Sequence, residues 1–177
     1  MPRINPVLRE NANGSIGTTL DAVKSKVGFV PNLIATFANS PTALNVYLGV
    51  SEMLAGGRLT ARQREVIALA VGQANTCQYC LSAHTAIGKS VGLSESAILL
   101  ARSGSSEDPV TNAIAQLASK ITTSRGLLEE VDIQHARAAG VDDGLIIEII
   151  SNVAFNILTN YTNHAAGTDI DFPIVKL

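Results

Sequence analysis

The stretch Leu59-Thr60-Ala61-Arg62-Gln63-Arg64-Glu65-Val66-Ile67-Ala68-Leu69-Ala70-Val71-Gly72-Gln73-Ala74-Asn75-Thr76-Cys77-Gln78-Tyr79-Cys80-Leu81-Ser82-Ala83-His84 decides how the chain is read. Thr60 and Gln63 have the spacing of a capping box, in which two side chains satisfy backbone N–H groups that a helix start leaves free. A helix therefore opens there and runs to about Ala74. From Val66 to Val71 it is apolar on every side, which places it at the centre of the fold. Asn75-Thr76 breaks it. A second helix starts near Cys77 and runs to about Val91, with Gly92 as its C-cap.

Working outward, every long segment reads as helix. Ser40-Pro41 opens one that runs to about Met53 and stops at Gly56-Gly57. Ser94 caps a short helix to about Arg102, followed by the loop Ser103-Gly104-Ser105-Ser106-Glu107. Asp108-Pro109 starts a helix to about Ser124, closed by Gly126. Glu129 to Ala139 is another, ended by Gly140. Asp142 caps the last, about Asp143 to Ala166, with Gly167 at its end. Residues 1–15 are rich in Pro, Asn and Gly and read as an irregular N-terminal arm. No period-2 strand is present. The expectation is one all-α domain over residues 1–177. A degenerate internal repeat is a further expectation: superposing Glu65 on Glu148 places Cys77 over Asn160 and Cys80 over Asn163.

The composition bounds the function. Hydrophobic residues make up 46% of the chain and charged residues 16%, against about 25% charged in an ordinary soluble domain. So little polar surface implies burial against further copies, a homo-oligomer. The longest apolar stretches, Val66 to Val71 and Leu145 to Ile150, the second interrupted by Glu148, fall short of the roughly 20 residues of a membrane span. Met1-Pro2-Arg3-Ile4-Asn5-Pro6 lacks the apolar core of a secretory signal, so a cytoplasmic location is expected. A net charge of −2 without a Lys/Arg cluster argues against nucleic acid.

The two cysteines, Cys77 and Cys80, sit within four residues of each other. A disulfide across that gap closes almost no loop and stabilises little, so chemistry or metal binding is the better reason for the pair. Residues 77, 80 and 84 share one helix face. Cys80 and His84 form an i,i+4 pair. Cys77 falls in the first turn, where free N–H groups and the helix dipole favour a thiolate. His84 can take the thiol proton, Glu65 can orient His84, and the second cysteine can resolve a sulfenic acid into a disulfide. Two rivals compete: a pair of cysteines packed as small hydrophobes, and a zinc site of Cys77, Cys80, His84 and Glu65, which lacks the usual second ligand pair. A thioredoxin fold needs a strand before the pair, and here that segment is helical. His135 reads as a solvated side chain. His164, with Asn163, reads either as a residue favoured by a helix C-terminus or as a pocket or subunit-contact residue near the cysteines. Arg62 and Arg64 read as surface or interface charges.

Residues 59–65 and 77–84 resemble the carboxymuconolactone decarboxylase superfamily in its AhpD-like alkylhydroperoxidase branch. The stretch from Asn160 to Pro173 resembles the longer, peroxidase-related members, so the likeness spans about residues 30–173. It implies an all-α AhpD-like fold assembled as trimers or hexamers. It also implies Cys80 as peroxidatic thiol, Cys77 as its disulfide partner and the more accessible to a reductant, and His84 with Glu65 as the proton relay. No bound cofactor is implied. The implied partners are a hydroperoxide, an external thiol reductant such as dihydrolipoamide, and a thiol or disulfide redox protein. One position departs: AhpD proper has a histidine immediately before the second cysteine, where this chain has Tyr79. With a pKa near 10, tyrosine is no base at neutral pH. The expected function is a thiol peroxidase. The alternatives are a non-enzymatic redox sensor or structural subunit, and a cofactor-free lyase of the decarboxylase type, whose members generally lack the cysteine pair.

Overall fold

The Thr60 hydroxyl accepts from the Gln63 N–H at 3.2 Å, and the Gln63 side-chain oxygen accepts from the Thr60 N–H at 3.0 Å. The capping box read from the sequence thus opens the central helix. The computed structural model describes residues 1–177 and contains nine α-helices and no strand. They are α1 (Gly14–Val27), α2 (Asn32–Phe37), α3 (Pro41–Ala55), α4 (Ala61–Ala74), α5 (Gln78–Ser90), α6 (Glu95–Arg102), α7 (Pro109–Ser124), α8 (Glu130–Ala138) and α9 (Asp143–Ala166).

Helix α4 packs against α5, α6, α7 and α9, which is why its middle is apolar all round. Ile67 and Val71 meet Ile114, Leu117 and Ile121 of α7 and Ile146, Ile149 and Val153 of α9. Val66 and Leu69 face Leu81, Leu93 and Ile98. Leu69 has no accessible surface; truncating such a residue to Ala costs about 2–5 kcal/mol. A separate apolar layer gathers Leu20, Leu33, Phe37 and Leu44 from α1–α3 around Cys77, Tyr79, Cys80 and Ala83. The cysteines therefore lie at the seam between the central helix pair and the N-terminal helices.

Helices α4 and α9 run parallel and are pinned together at both ends. At the start, the Glu148 carboxylate accepts from the backbone N–H of Arg58 at 2.9 Å and of Leu59 at 2.8 Å. Arg58 also grips Asp142 with two hydrogen bonds of 2.8 and 2.9 Å. At the far end, the Asn75 amide donates to the Asn160 side chain at 2.9 Å.

Several expectations need correcting. The irregular arm is shorter than residues 1–15, because α1 already begins at Gly14 and a 3-10 turn occupies Arg9–Asn11. The stretch superposed on α4–α5 is one unbroken helix, so the break at residues 75–77 has no counterpart in α9. Helix α9 is also long and apolar enough, by length and composition, to cross a membrane, which a search for contiguous apolar runs overlooks. Its inward face, however, buries Asn152, Asn156, Asn160 and Asn163 against protein. Its outward face leaves Ile147, Ile150, Leu158 and Tyr161 exposed, a stripe at helical spacing.

Candidate active site

The turn between α4 and α5 positions the sulfurs. Thr76 has φ 53°, a left-handed conformation that costs a β-branched residue energy. It sends the chain into α5 with Cys77 as N-cap, not within the first turn as the sequence suggested. Cys77 Sγ accepts from the Cys80 N–H at 3.3 Å. A sulfur here stands where Ser, Thr or Asp commonly cap, so a thiolate on Cys77 would be held by a backbone donor and the helix dipole. Cys77 and Cys80 are joined as a disulfide, and the molecule is in its oxidised form. Neither sulfur is a free thiolate, and no group of three or more His, Cys, Asp or Glu is placed to hold a metal.

His84 lies one turn after Cys80, and its Nδ1 sits 2.8 Å from Glu65 Oε2. Both side chains are mostly buried. Helix α4 thus supplies the acid and α5 the imidazole, as the spacing predicts. The contact commits Nδ1 and leaves Nε2 as the nitrogen available to a reacting group. On the other side of Cys80, the Asn163 amide donates to its Sγ at 3.3 Å. Asn163 Oδ1 is buried without a partner.

Tyr79 has a positional role. Its hydroxyl accepts from the Leu33 N–H at 3.1 Å and anchors α2. Burial pushes its pKa upward, and the nearby Asp171 carboxylate adds to this. It stays a neutral phenol and replaces no histidine base. Tyr47 is likewise raised by burial, with Glu65 contributing.

Cys80 and His84 line a cavity of about 200 Å³. Its walls include Leu33, Ile34, Ala83, Phe155 and Phe172 as well as both tyrosines, and Val27 and Ile87 stand at its rim. The aromatic rings are in mutual contact: Tyr47 stacks on Phe155 at 5.4 Å, and Phe172 meets Tyr79 edge-on at 5.8 Å. Phe172 belongs to the C-terminal tail, which is tied down where the Asp171 carboxylate accepts from the Asn32 N–H at 2.6 Å and where Gln78 donates to the Val175 carbonyl. Sequence reasoning missed Tyr47, Phe155 and Phe172. The only available signal was their apolar character, shared with dozens of core residues.

A second depression, of about 330 Å³, lies on the Cys77 side and is bordered by Asn163, His164 and Thr168. His164 is exposed there and borders the same depression as Cys77. His135 is also exposed, far from the site between α7 and α8, and borders a depression with Lys120 and Asp132. Cys77 and Cys80 are both buried in this oxidised form, and Cys77 also borders the second depression.

Residues 41–118 match the sequence profile of the Carboxymuconolactone decarboxylase family. The match covers the segment from α3 to α7 that carries both cysteines, Glu65 and His84. Among solved structures it is similar to the alkylhydroperoxidase AhpD core of a peroxidase-related protein from Ralstonia eutropha JMP134. That match has 25% identity and a TM-score of 0.86, covering 96% of this chain and 92% of the other. A peroxidase-related protein from Silicibacter sp. TM1040 shares the fold at 23% identity and a TM-score of 0.82, covering 95% and 93%. The debrominase Bmp8, in a cysteine-to-alanine variant bound to 2,3,4-tribromopyrrole, shares it at 20% identity and a TM-score of 0.81, covering 95% and 91%. No curated protein matches the sequence. The AhpD-like scaffold thus carries, in this chain, a disulfide at the seam of its helices and an apolar cavity in front of it.

Proposed function

We propose that the protein is a thiol peroxidase acting on organic hydroperoxides. The observation that carries this reading is the Glu65–His84 pair set beside Cys80 at the wall of an apolar cavity. In the reduced form His84, held by Glu65, takes the Cys80 thiol proton. The thiolate attacks the terminal peroxide oxygen, the O–O bond breaks, and the departing alkoxide takes a proton from His84. Cys80 becomes a sulfenic acid. The Cys77 thiolate displaces hydroxide from it, which leaves as water, and the disulfide seen here results. An external dithiol returns two electrons and two protons. The cofactor is thus a diffusible reductant, with dihydrolipoamide as one candidate.

The test is hydroperoxide consumption with dithiothreitol as donor. One disulfide formed and one alcohol released per peroxide supports the reading; two thiols surviving one equivalent of cumene hydroperoxide overturns it.

The aromatic walls favour a second reading, reductive debromination. A bromoarene and two thiols would yield the arene, bromide, a proton and the disulfide. Bromide release from 2,3,4-tribromopyrrole under the same donor tests it.

Self-association belongs to the same proposal. The stripe Ile147, Ile150, Leu158 and Tyr161 would be covered by a second copy. Light scattering should give a mass above that of one chain, and Ile147→Asp should return it to one.

A further inference from the structure

When a thiolate attacks a hydroperoxide inside an apolar chamber, the O–O electron pair collects on the departing oxygen with little water to solvate it. A donor fixed in the wall stabilises that charge without having to reorganise. Besides Cys80, the polar side chains lining the cavity are Tyr47, Tyr79, His84, Asn156 and Thr159. Most are committed elsewhere. The Tyr79 hydroxyl takes the Leu33 N–H at 3.1 Å and lies beside Asp171. Asn156 turns its amide nitrogen onto the Asn152 carbonyl at 2.9 Å, and the Thr159 hydroxyl donates to the Asn156 carbonyl at 2.9 Å. His84 is paired with Glu65.

The Tyr47 hydroxyl makes no hydrogen bond within the protein. Its ring is held by two others, stacked on Phe37 at 5.0 Å and on Phe155 at 5.4 Å. Helix α3 thus delivers a phenol that is fixed at its ring and uncommitted at its oxygen. Burial raises its pKa, and the nearby Glu65 charge adds to this, so the phenol keeps its proton at neutral pH. The influence of Glu65 also places this hydroxyl near the acid–imidazole pair.

We propose that Tyr47 is a catalytic residue for the hydroperoxide, its O–H donating a hydrogen bond to the oxygen that leaves. This rests on the peroxidase reading above and adds to it a group that touches the substrate. A bond forms between Cys80 Sγ and the terminal oxygen, the O–O bond breaks, and its electron pair passes to the alkoxide oxygen. That oxygen takes the proton held by His84 and departs as the alcohol. Tyr47 keeps its own proton and stabilises the oxygen while the charge builds. A substrate preference follows. An alkyl hydroperoxide releases a strongly basic alkoxide and needs the donor; a peracid releases a carboxylate and does not.

Tyr47→Phe removes the hydroxyl and keeps the stacked ring. Reduced wild-type and variant protein are mixed with tert-butyl hydroperoxide or with peracetic acid, and thiol loss is followed through a single turnover. The variant should react at least tenfold more slowly with tert-butyl hydroperoxide, a fraction of the roughly 100-fold that one preorganised donor can contribute, and within about twofold of wild type with peracetic acid. An equal loss with both oxidants would place the effect on the thiolate or on packing and overturn the assignment; no loss with either would do the same. Disulfide reduction by dithiothreitol forms no alkoxide and should run at the wild-type rate in the variant. A matching slowdown there would also overturn it. Wild-type thiols that survive both oxidants sink the peroxidase reading itself, whereas a reactive wild type with an equally reactive variant sinks this inference alone.

Discussion

The Asn163 side-chain amide lies 3.3 Å from Cys80 Sγ, brought there by α9 from 83 residues further along the chain. In the disulfide this donor meets a weak acceptor. Once reduced, the same sulfur can carry a full negative charge, and a hydrogen bond to a charged group is worth about 1.5–3 kcal/mol. Asn163→Leu keeps the shape and removes the donor. Thiolate absorbance at 240 nm, followed against pH in the reduced protein, should show Cys80 ionising at higher pH in the variant. Coincident curves would mean that the amide only packs.

Glu65 touches His84 but does not line the cavity. Glu65→Gln should therefore lower kcat for hydroperoxide roughly 100-fold, the lower end of what a positioned acid–base group contributes, while KM changes little. His84→Ala should lose at least as much. A rise in KM with kcat intact would assign the pair to binding.

Thr76 sits at φ 53° between the two site helices. Strain of this kind costs about 1–3 kcal/mol, and glycine accepts the conformation freely. Thr76→Gly should stabilise the protein by about 1 kcal/mol after glycine's greater flexibility in the unfolded chain is subtracted. Urea unfolding measures it. A loss of stability would show that the Thr76 side chain contributes more than its backbone costs.

Hydrogen bonds from Arg58, and then from the Leu145 N–H, hold the Asp142 carboxyl at about 2. Its folded value lies below the unfolded one, so its contribution is fully present above about pH 4 and is lost as the pH falls towards 2. The pair is exposed, so the effect on stability is small and is best read directly. In an NMR titration Asp142 should titrate near 2, and Arg58→Met should move it upward. An unmoved Asp142 would leave the Leu145 N–H as the cause.

The helices were legible because their ends carry strong local chemistry. Thr60 with Gln63, Ser94, Asp108-Pro109 and Asp142 all cap where the sequence placed caps. The Glu65–His84 contact was legible too, since two short helices joined by a tight turn leave few ways to arrange residues 65 and 84. What escaped was set by non-local packing. The cavity wall combines Ile34, Tyr47, Phe155 and Phe172 from four distant segments, and no periodicity links them. The course of residues 168–177, which form no regular element, depends on Asn32, Gln78 and Arg102 reaching its backbone or side chains, which no local propensity encodes.

The double pinning of α4 to α9, by Glu148 at one end and Asn160 at the other, separates two tasks that many enzymes entangle. The Glu65–His84 pair rides on the pinned helix and its immediate neighbour, whereas Val27, Pro31, Leu33, Ile34, Tyr47 and Phe172 bring part of the chamber's lining from segments outside α4, α5 and α9. Substitutions at Ile34 or Phe172 can therefore reshape what is admitted without moving the imidazole or its acid. Such a division makes the scaffold evolvable, because drift in its walls can alter which small apolar molecules fit while the disulfide, the imidazole and its acid stay in place.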